Sequence, residues 1–234
     1  MSYKIKVKED DFIVKEKYSI DISDRGKYSV FLLYKRGWNT DELVKKISND
    51  TGIDVNLFSY GGRKDRHSVS EQIITIRGNY KNLNYKSDFC NMRFLGFSNQ
   101  PMSPKLIISN CFAINVRDIN LNKKSDIQNR IEEIKDKGFV NYFDAQRFRS
   151  YDEELKAIYE NLLIKRGVKR SMFNLRKIRK AYFKSNQRSV IEFPKNLSFS
   201  FEDDELYNSK LKLIISFELP AGSYATMLIK QLFI

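Results

Sequence analysis

Histidine, cysteine, tryptophan and proline are all scarce: the chain has one His, two Cys, one Trp and four Pro in 234 residues. The shortage of His and Cys closes off two classes of chemistry. His67, Cys90 and Cys111 stand too far apart for any metal-ligand spacing, so no metal site is expected. Two isolated cysteines make no disulfide framework and are expected to be reduced. No apolar run approaches the roughly 20 residues that a membrane-spanning helix needs. The first residues, MSYKIKVKEDDF, lack a hydrophobic signal core, and a cytoplasmic location is expected. Acids are also in deficit, 29 against 42 Lys and Arg, a net charge of +13. Such a protein attracts polyanions, nucleic acid first and an anionic membrane second.

The deficit of acids is concentrated. From Lys165 to Arg188 there are ten Lys and Arg and no Asp or Glu. Phe173, Tyr182 and Phe183 lie among them. A run of this density repels itself unless a polyanion screens it. It is expected to be a phosphate-contacting surface on nucleic acid, with Lys169, Arg170, Arg176, Lys177, Arg179 and Lys180 touching the backbone. The alternatives are a solvated helix face with its aromatics packed inward, or a membrane-surface helix. The second is weak, since no long apolar face opposes the charges.

What remains reads as a globular α+β protein, with 41% hydrophobic and 30% charged residues and length for one good core. Lys4 to Lys17 alternates as a strand, with Asp10 and Asp11 interrupting it as a turn or bulge. Tyr28 to Tyr34 is a second strand. Asn39, with Glu42 three residues on, starts a helix through Asp50 that carries Leu43, Val44 and Ile47 on one face and stops at Gly52. Strands are also expected at Met92 to Phe97, Lys105 to Val116 and Leu211 to Leu219. Residues 79–88 read as loop, and 198–205 as merely polar and acidic. Ser125 caps a helix to Lys137 with the stripe Ile127, Ile131 and Ile134, ended by Gly138. Gly138 to Phe148 reads as ordered loop, Tyr151 to Ile164 as helix, and Ser223 as the cap of a last helix from Tyr224 to Leu232.

The most unusual stretch is FSYGGRKDRHSVSEQ, Phe58 to Gln72. An apolar strand runs into Gly61-Gly62, and a loop with three cations around Asp65 leads into a second strand. Glycine allows φ > 0 and close backbone approach, so this plan can hold one side chain at a sheet edge. An Asp among cations stays ionised. It can serve as nucleophile, base or salt-bridge anchor, and composition alone favours the anchor.

Four segments together resemble the TruD family of tRNA pseudouridine synthases: VKEDDFIVKE (Val7 to Glu16), FSYGGRKDRHSVSEQ, GFVNYFDAQRF (Gly138 to Phe148) and LPAGSYATMLIKQL (Leu219 to Leu232). They stand in the family's order and span nearly the whole chain. The resemblance implies a pseudouridine-synthase-like catalytic fold, a mixed and mostly antiparallel sheet flanked by helices, with no cofactor or metal. It implies isomerisation of a flipped-out uridine in RNA, by analogy uridine 13 of tRNA. A monomer is expected. Asp65 matches the family's catalytic aspartate and Lys6 the basic residue paired with it. Phe12 matches an aromatic at the nucleotide, Asn141 a substrate-contacting asparagine, Phe143 an aromatic over the base, and Tyr224 a further substrate aromatic. The expected carboxylate sits in a pocket that has expelled water, with Lys6, Lys64 or Arg66 balancing its charge.

The family usually carries a large second domain between the QRF and LPAGS motifs, and here only Arg149 to Lys210 separate them. The expected division is therefore a catalytic domain from residues 1–150 and 189–234, interrupted by a small basic helical insertion, 151–188, that substitutes for the clamp. A non-catalytic RNA-binding protein or RNA chaperone on the same fold is the alternative. A pure binder, however, has no need of an acid with lysine and asparagine partners.

Overall fold

A computed structural model describes residues 3–141 and 189–234, and between them residues 157, 160, 161, 163–167 and 169. The described chain runs through β1 (Phe12–Tyr18), β2 (Tyr28–Arg36), α1 (Thr40–Thr51), β3 (Phe58–Tyr60), β4 (Val69–Arg77), β5 (Tyr85–Ser87), β6 (Cys90–Ser98) and β7 (Ile107–Ile119). It continues through α2 (Lys124–Lys137), β8 (Phe139–Val140), β9 (Ile191–Glu192), β10 (Lys195–Asp203), β11 (Leu211–Pro220) and α3 (Ala225–Gln231). Nine strands make one mixed sheet in the order β10-β11-β7-β1-β4-β2-β6-β5, with β3 also on β4. Only β1 and β4 run parallel among these pairs. The α+β class and the mostly antiparallel sheet are as expected.

Strand alternation divides the sheet into two faces. One face carries two apolar clusters. In the first, Phe12, Val14, Ile114 and Ile215 meet Ile127, Ile131 and Ile134 of α2 and Leu228 and Ile229 of α3. In the second, Phe31, Leu33, Ile74 and Ile76 meet Leu43, Val44 and Ile47 of α1. The opposite face holds a smaller cluster, Ile20, Val30, Ile73 and Met102. On the helical face the residues between the two large clusters are polar: Glu16, Lys35, Ser70, Gln72 and Asn110, all buried. β1 and β3 both pair with β4, β1 at 69–71 and β3 at 74–76. The connection 61–68 travels back across the seam between them.

Several local expectations needed correction. Residues 9–11 form one turn of 3₁₀ helix, and β1 begins only at Phe12. Residues 85–87 form β5, a short strand on the edge of β6, inside what read as loop. Most of the stretch 198–205, residues 198–203, belongs to β10, whose Phe199 and Phe201 pack against the first cluster while Ser198 and Ser200 face away. That alternation was present in the sequence, but polar and acidic residues outnumber the two phenylalanines there. Ser125 is not a cap: a 3₁₀ turn at Leu121–Lys123 feeds straight into α2, which starts at Lys124. Tyr224, rather than Ser223, is the residue before α3. Asn39 does cap α1, accepting from Glu42 N at 2.9 Å, and Gly52 and Gly138 end α1 and α2 at positive φ.

β8 and β9 pair with each other, Val140 opposite Ile191, and Asn141 N donates to Val190 O at 2.8 Å. Residues 141 and 190 are thus neighbours, and most of the expected insertion, 151–188, lies outside the described residues.

A buried ionic knot anchors the N-terminal segment. Arg117 donates through Nε to both oxygens of Asp11 at 2.9 Å and through Nη1 to Asp204 at 2.9 Å, and pairs with Glu205 at 2.9 Å. Its backbone pairs with Lys4. Asp11 in turn accepts from Lys8 N at 2.9 Å. Burial pushes the Asp11 carboxyl up, but the hydrogen bonds from Arg117, Lys8 N and Asn115 outweigh it and hold it below its usual 3.8. A carboxylate depressed on folding adds stability above its unfolded value and loses it as pH falls through the folded one. Arg117→Met leaves Asp11 and Asp204 buried without their cation and is expected to cost about 3–5 kcal/mol. Urea titrations of both proteins from pH 7 down to 3 check this: wild type should weaken below about pH 4, and the variant should start weaker at neutral pH.

Candidate active site

The loop 61–68 is stitched to the core by its main chain. Gln72 Nε2 donates to Gly62 O at 3.1 Å, and Thr40 Oγ1 accepts from Lys64 N at 2.9 Å while donating to Gln72 Oε1 at 2.9 Å. Lys35 Nζ and Ser68 Oγ both donate to Asp65 O at 2.8 Å. Gln72, Thr40 and Lys35 have no solvent exposure, and Ser68 almost none. Neither glycine of the pair uses positive φ. Gly61 instead serves close approach: a Cβ there would lie 2.7 Å from the Ile107 side chain.

The fixed backbone presents the Asp65 side chain outward. Its carboxylate accepts from Lys6 Nζ at 2.6 Å. The Asp65 side chain is 71% exposed and that of Lys6 20%. Among the described residues no ring covers this carboxylate, so they do not form the expected pocket emptied of water. Lys6 reaches it from a left-handed backbone, φ 58°, a conformation that costs a non-glycine residue about 1–2 kcal/mol. Strain of this kind persists where surrounding structure over-determines it, here the Arg117 knot and the lysine's own partners. Lys6 Nζ also lies 4.4 Å from the centroid of the Phe12 ring, a cation–π contact. Phe12 is buried in the first cluster, so Lys6 covers the ring that was expected at the nucleotide.

The other expected counter-ions point elsewhere. Lys64 Nζ turns inward to Glu16 Oε2 at 2.9 Å and donates to Asn110 Oδ1 at 2.7 Å. Arg66 pairs with Glu42, and Arg63 with Asp41 at 2.8 Å, both acids in the first turn of α1. Arg36 at the end of β2 is held by Asp10. His67 is exposed on the loop.

A second group forms at the β8–β9 neck. Asn141 is buried, and its Oδ1 accepts from Tyr224 N at 3.2 Å. Tyr224 is about half exposed at the start of α3. Gln231 of α3 clamps the neck, accepting from Val140 N at 2.9 Å and donating to Val140 O at 2.7 Å. Phe139 beside Asn141 belongs to the same apolar cluster as Phe12, so both groups border one core. Phe143, Arg170, Arg176, Lys177, Arg179 and Lys180 lie outside the described residues, and Lys169 is exposed.

Among the described residues no three His, Cys, Asp or Glu side chains cluster to hold a metal ion, and no helix is long and apolar enough to cross a membrane. Sequence reading missed Lys35, Glu16 and Asn110. Period-two counting along β2 could have found Lys35, since it falls on the face of Phe31 and Leu33. Glu16 continues the face of Phe12 and Val14 in the same way.

The Glu16 side chain has no exposure and that of Lys64 only 10%. Lys64→Met should therefore cost about 3–5 kcal/mol, because it strands a buried carboxylate. The double variant Glu16→Gln with Lys64→Met should recover a large part of that loss. A urea double-mutant cycle measures the coupling, and simple additivity would contradict it.

Comparison with known proteins bears on this arrangement. A family model for tRNA pseudouridine synthase D (TruD) matches residues 1–153 and 149–232. The tRNA pseudouridine synthase D of Leptospira interrogans is 30% identical over 155 residues, 66% of this chain and 38% of that protein. A probable tRNA pseudouridine synthase D of Pyrococcus furiosus is 36% identical over 62% of this chain and 35% of its own length. The Aquifex aeolicus tRNA pseudouridine synthase D is 31% identical over 70% of this chain and 44% of its own. The matches thus span less than half the length of these relatives. The crystal structure of a putative tRNA pseudouridine synthase D from Methanosarcina mazei has the same fold, with a TM-score of 0.65 at 16% identity over 97% of this chain and 92% of that one. With the family match taking in both the Lys6–Asp65 pair and the Asn141–Tyr224 neck, this chain belongs to the TruD family of tRNA pseudouridine synthases.

Proposed function

We propose that this chain is an RNA pseudouridine synthase that isomerises a flipped-out uridine of tRNA, by resemblance uridine 13, with Asp65 as the catalytic carboxylate. The observation that carries the reading is an outward-facing carboxylate on an immobilised loop, met by a lysine from a strained backbone. The reaction breaks the bond from N1 of uracil to C1′ of ribose, turns the base, and joins C5 to C1′. The proton lost from C5 is balanced by one gained at N1, so no oxidant, metal or cofactor is consumed.

Asp65 works at the sugar or base edge, and Lys6 balances its charge before the nucleotide arrives. Because the carboxylate is open to solvent in the free protein, the RNA itself must displace the water. The ion pair then strengthens as the local dielectric falls. Asn141 and Tyr224 offer hydrogen bonds and a ring to the extruded nucleotide, with Phe143 stacking on its base. Extrusion costs a few kcal/mol, and each stacked base returns about 1–3 kcal/mol. Phe12 acts from below, through Lys6. The basic run with Lys169, Arg170, Arg176, Lys177, Arg179 and Lys180 supplies the phosphate contacts that the small insertion must make in place of a larger clamp. A tRNA substrate fits a cytoplasmic protein acting as a monomer.

Two measurements test this. Incubation with transcribed tRNA and with cellular RNA, followed by mapping of pseudouridines, should show product with wild type and none above background with Asp65→Asn. Product from the variant at the wild-type rate removes Asp65 from the mechanism, while tight binding without product from either favours the chaperone. Charge reversal at Arg170, Arg176, Lys177 and Arg179 should weaken tRNA binding and lower the slope of log affinity against log salt by about 0.9 for each phosphate no longer neutralised. An unchanged slope contradicts the clamp role.

A further inference from the structure

Lys35 stands near the end of an apolar strand, on the face of Phe31 and Leu33, and none of it reaches solvent. Lysines are almost never fully buried unless paired, because the ammonium gives up its hydration. The hydrogen bonds of this one go to main-chain carbonyls, Trp38 O at 2.6 Å and Asp65 O at 2.8 Å. The ionisable groups around it are Asp65 and Lys64 on the loop and Cys90, its strand partner on β6; from β4 it meets Ser70. Burial pushes the Lys35 pKa down to about 8, Asp65 pulls it up, and Lys64 adds to the fall. Burial pushes the Cys90 thiol up to about 12, so it stays neutral here.

A lysine whose pKa falls on folding binds its proton more tightly in the unfolded chain. Stability therefore rises with pH between about 8 and 10.5, and the charge is carried at a loss at neutral pH. An apolar side chain would fill the site without that loss. What Lys35 supplies in return is a grip on the carbonyl of the residue whose carboxylate meets Lys6. Ser68 Oγ holds the same carbonyl, and Gly37 N donates to Ser68 O at 3.4 Å.

We propose that Lys35 is a positioning residue for the reaction: from inside the sheet it fixes the Asp65 carbonyl, so aiming the carboxylate, and places a positive charge beneath it. This inference rests on the pseudouridine-synthase reading. The division of labour is that Lys6 meets the carboxylate from above while Lys35 sets where it stands.

The test compares full-length wild type, Lys35→Met and Lys35→Gln. Single-turnover pseudouridine formation at saturating tRNA, tRNA affinity, and amide hydrogen exchange of residues 61–68 are measured. Lys35→Met should lose about 100-fold in rate, the scale of a 1 Å misplacement at a reacting centre. Its tRNA affinity should stay within about threefold, since phosphate contacts dominate binding, and the loop amides should exchange faster. Lys35→Gln keeps N–H donors without the charge and should recover part of the rate. The wild-type rate should decline as pH rises through about 8, where the ammonium discharges, and the Gln variant should lack that decline. A Met variant within about twofold of the wild-type rate, or one whose loss is entirely matched in affinity, overturns the proposal. Should Lys35→Met not fold, the exchange and pH profile of Lys35→Gln decide the matter. An inactive wild type fails the reading of the preceding section instead, and loop exchange in the variants still decides whether Lys35 positions Asp65.

Discussion

An exposed carboxylate has no packing to hold it, so its direction is set by the backbone beneath. In this protein that backbone is fixed by hydrogen bonds that water cannot reach. Gln72, Thr40, Ser68 and Lys35 bind the carbonyls and an amide of 61–68 from inside the fold. They can do so because the helical face of the sheet is not apolar throughout. Two hydrophobic clusters, each with its own helices, leave a polar strip between them, and the loop lies in that strip. Buried polar networks are stable only when satisfied, which is why the loop's main chain is drawn down while one side chain is left outside.

The second half of the pair comes from a distant part of the chain. Lys6 and Asp65 are 59 residues apart, and the lysine sits in a segment braced at both ends. At one end is the bridge of Lys4 to Arg117, at the other the turn braced by Asp11 on the same arginine. Arg117 is thus remote from the proposed chemistry yet determines where Lys6 can be. The left-handed backbone of Lys6 is the conformational expense of reaching across from that anchor.

The charge around Asp65 is less positive than the string RKDR suggests. Arg63, Arg66 and Arg36 are matched by Asp41, Glu42 and Asp10, and Lys64 is spent on Glu16. Among the described residues, Lys6 alone pairs with the carboxylate. In the sequence, most of the net excess of +13 comes from the ten cations of 165–188. Apart from the buried Lys35, each of the cations grouped around Asp65 thus has an acid for a partner.

By itself the sequence determined the elements with strong periodicity: β2, β4, β7 and β11, α1 with its Asn39 cap, and the isoleucine stripe of α2. It also determined which acid stands in the glycine-bounded loop, and that Lys6 is its partner, because those features are local or carried by motifs. It failed at β10 and β5, whose few apolar residues form strands only because a neighbour offers an edge to pair with. Tertiary structure alone decided the environment of the site. Which face of β2 meets the loop makes Lys35 a buried donor rather than a surface charge. Where α1 begins decides that Arg66 answers Glu42 and leaves Asp65 to Lys6. Side-chain identity fixes what a group can do. Burial and partnership depend on segments far apart in the chain, which come together only when the sheet closes over its two clusters.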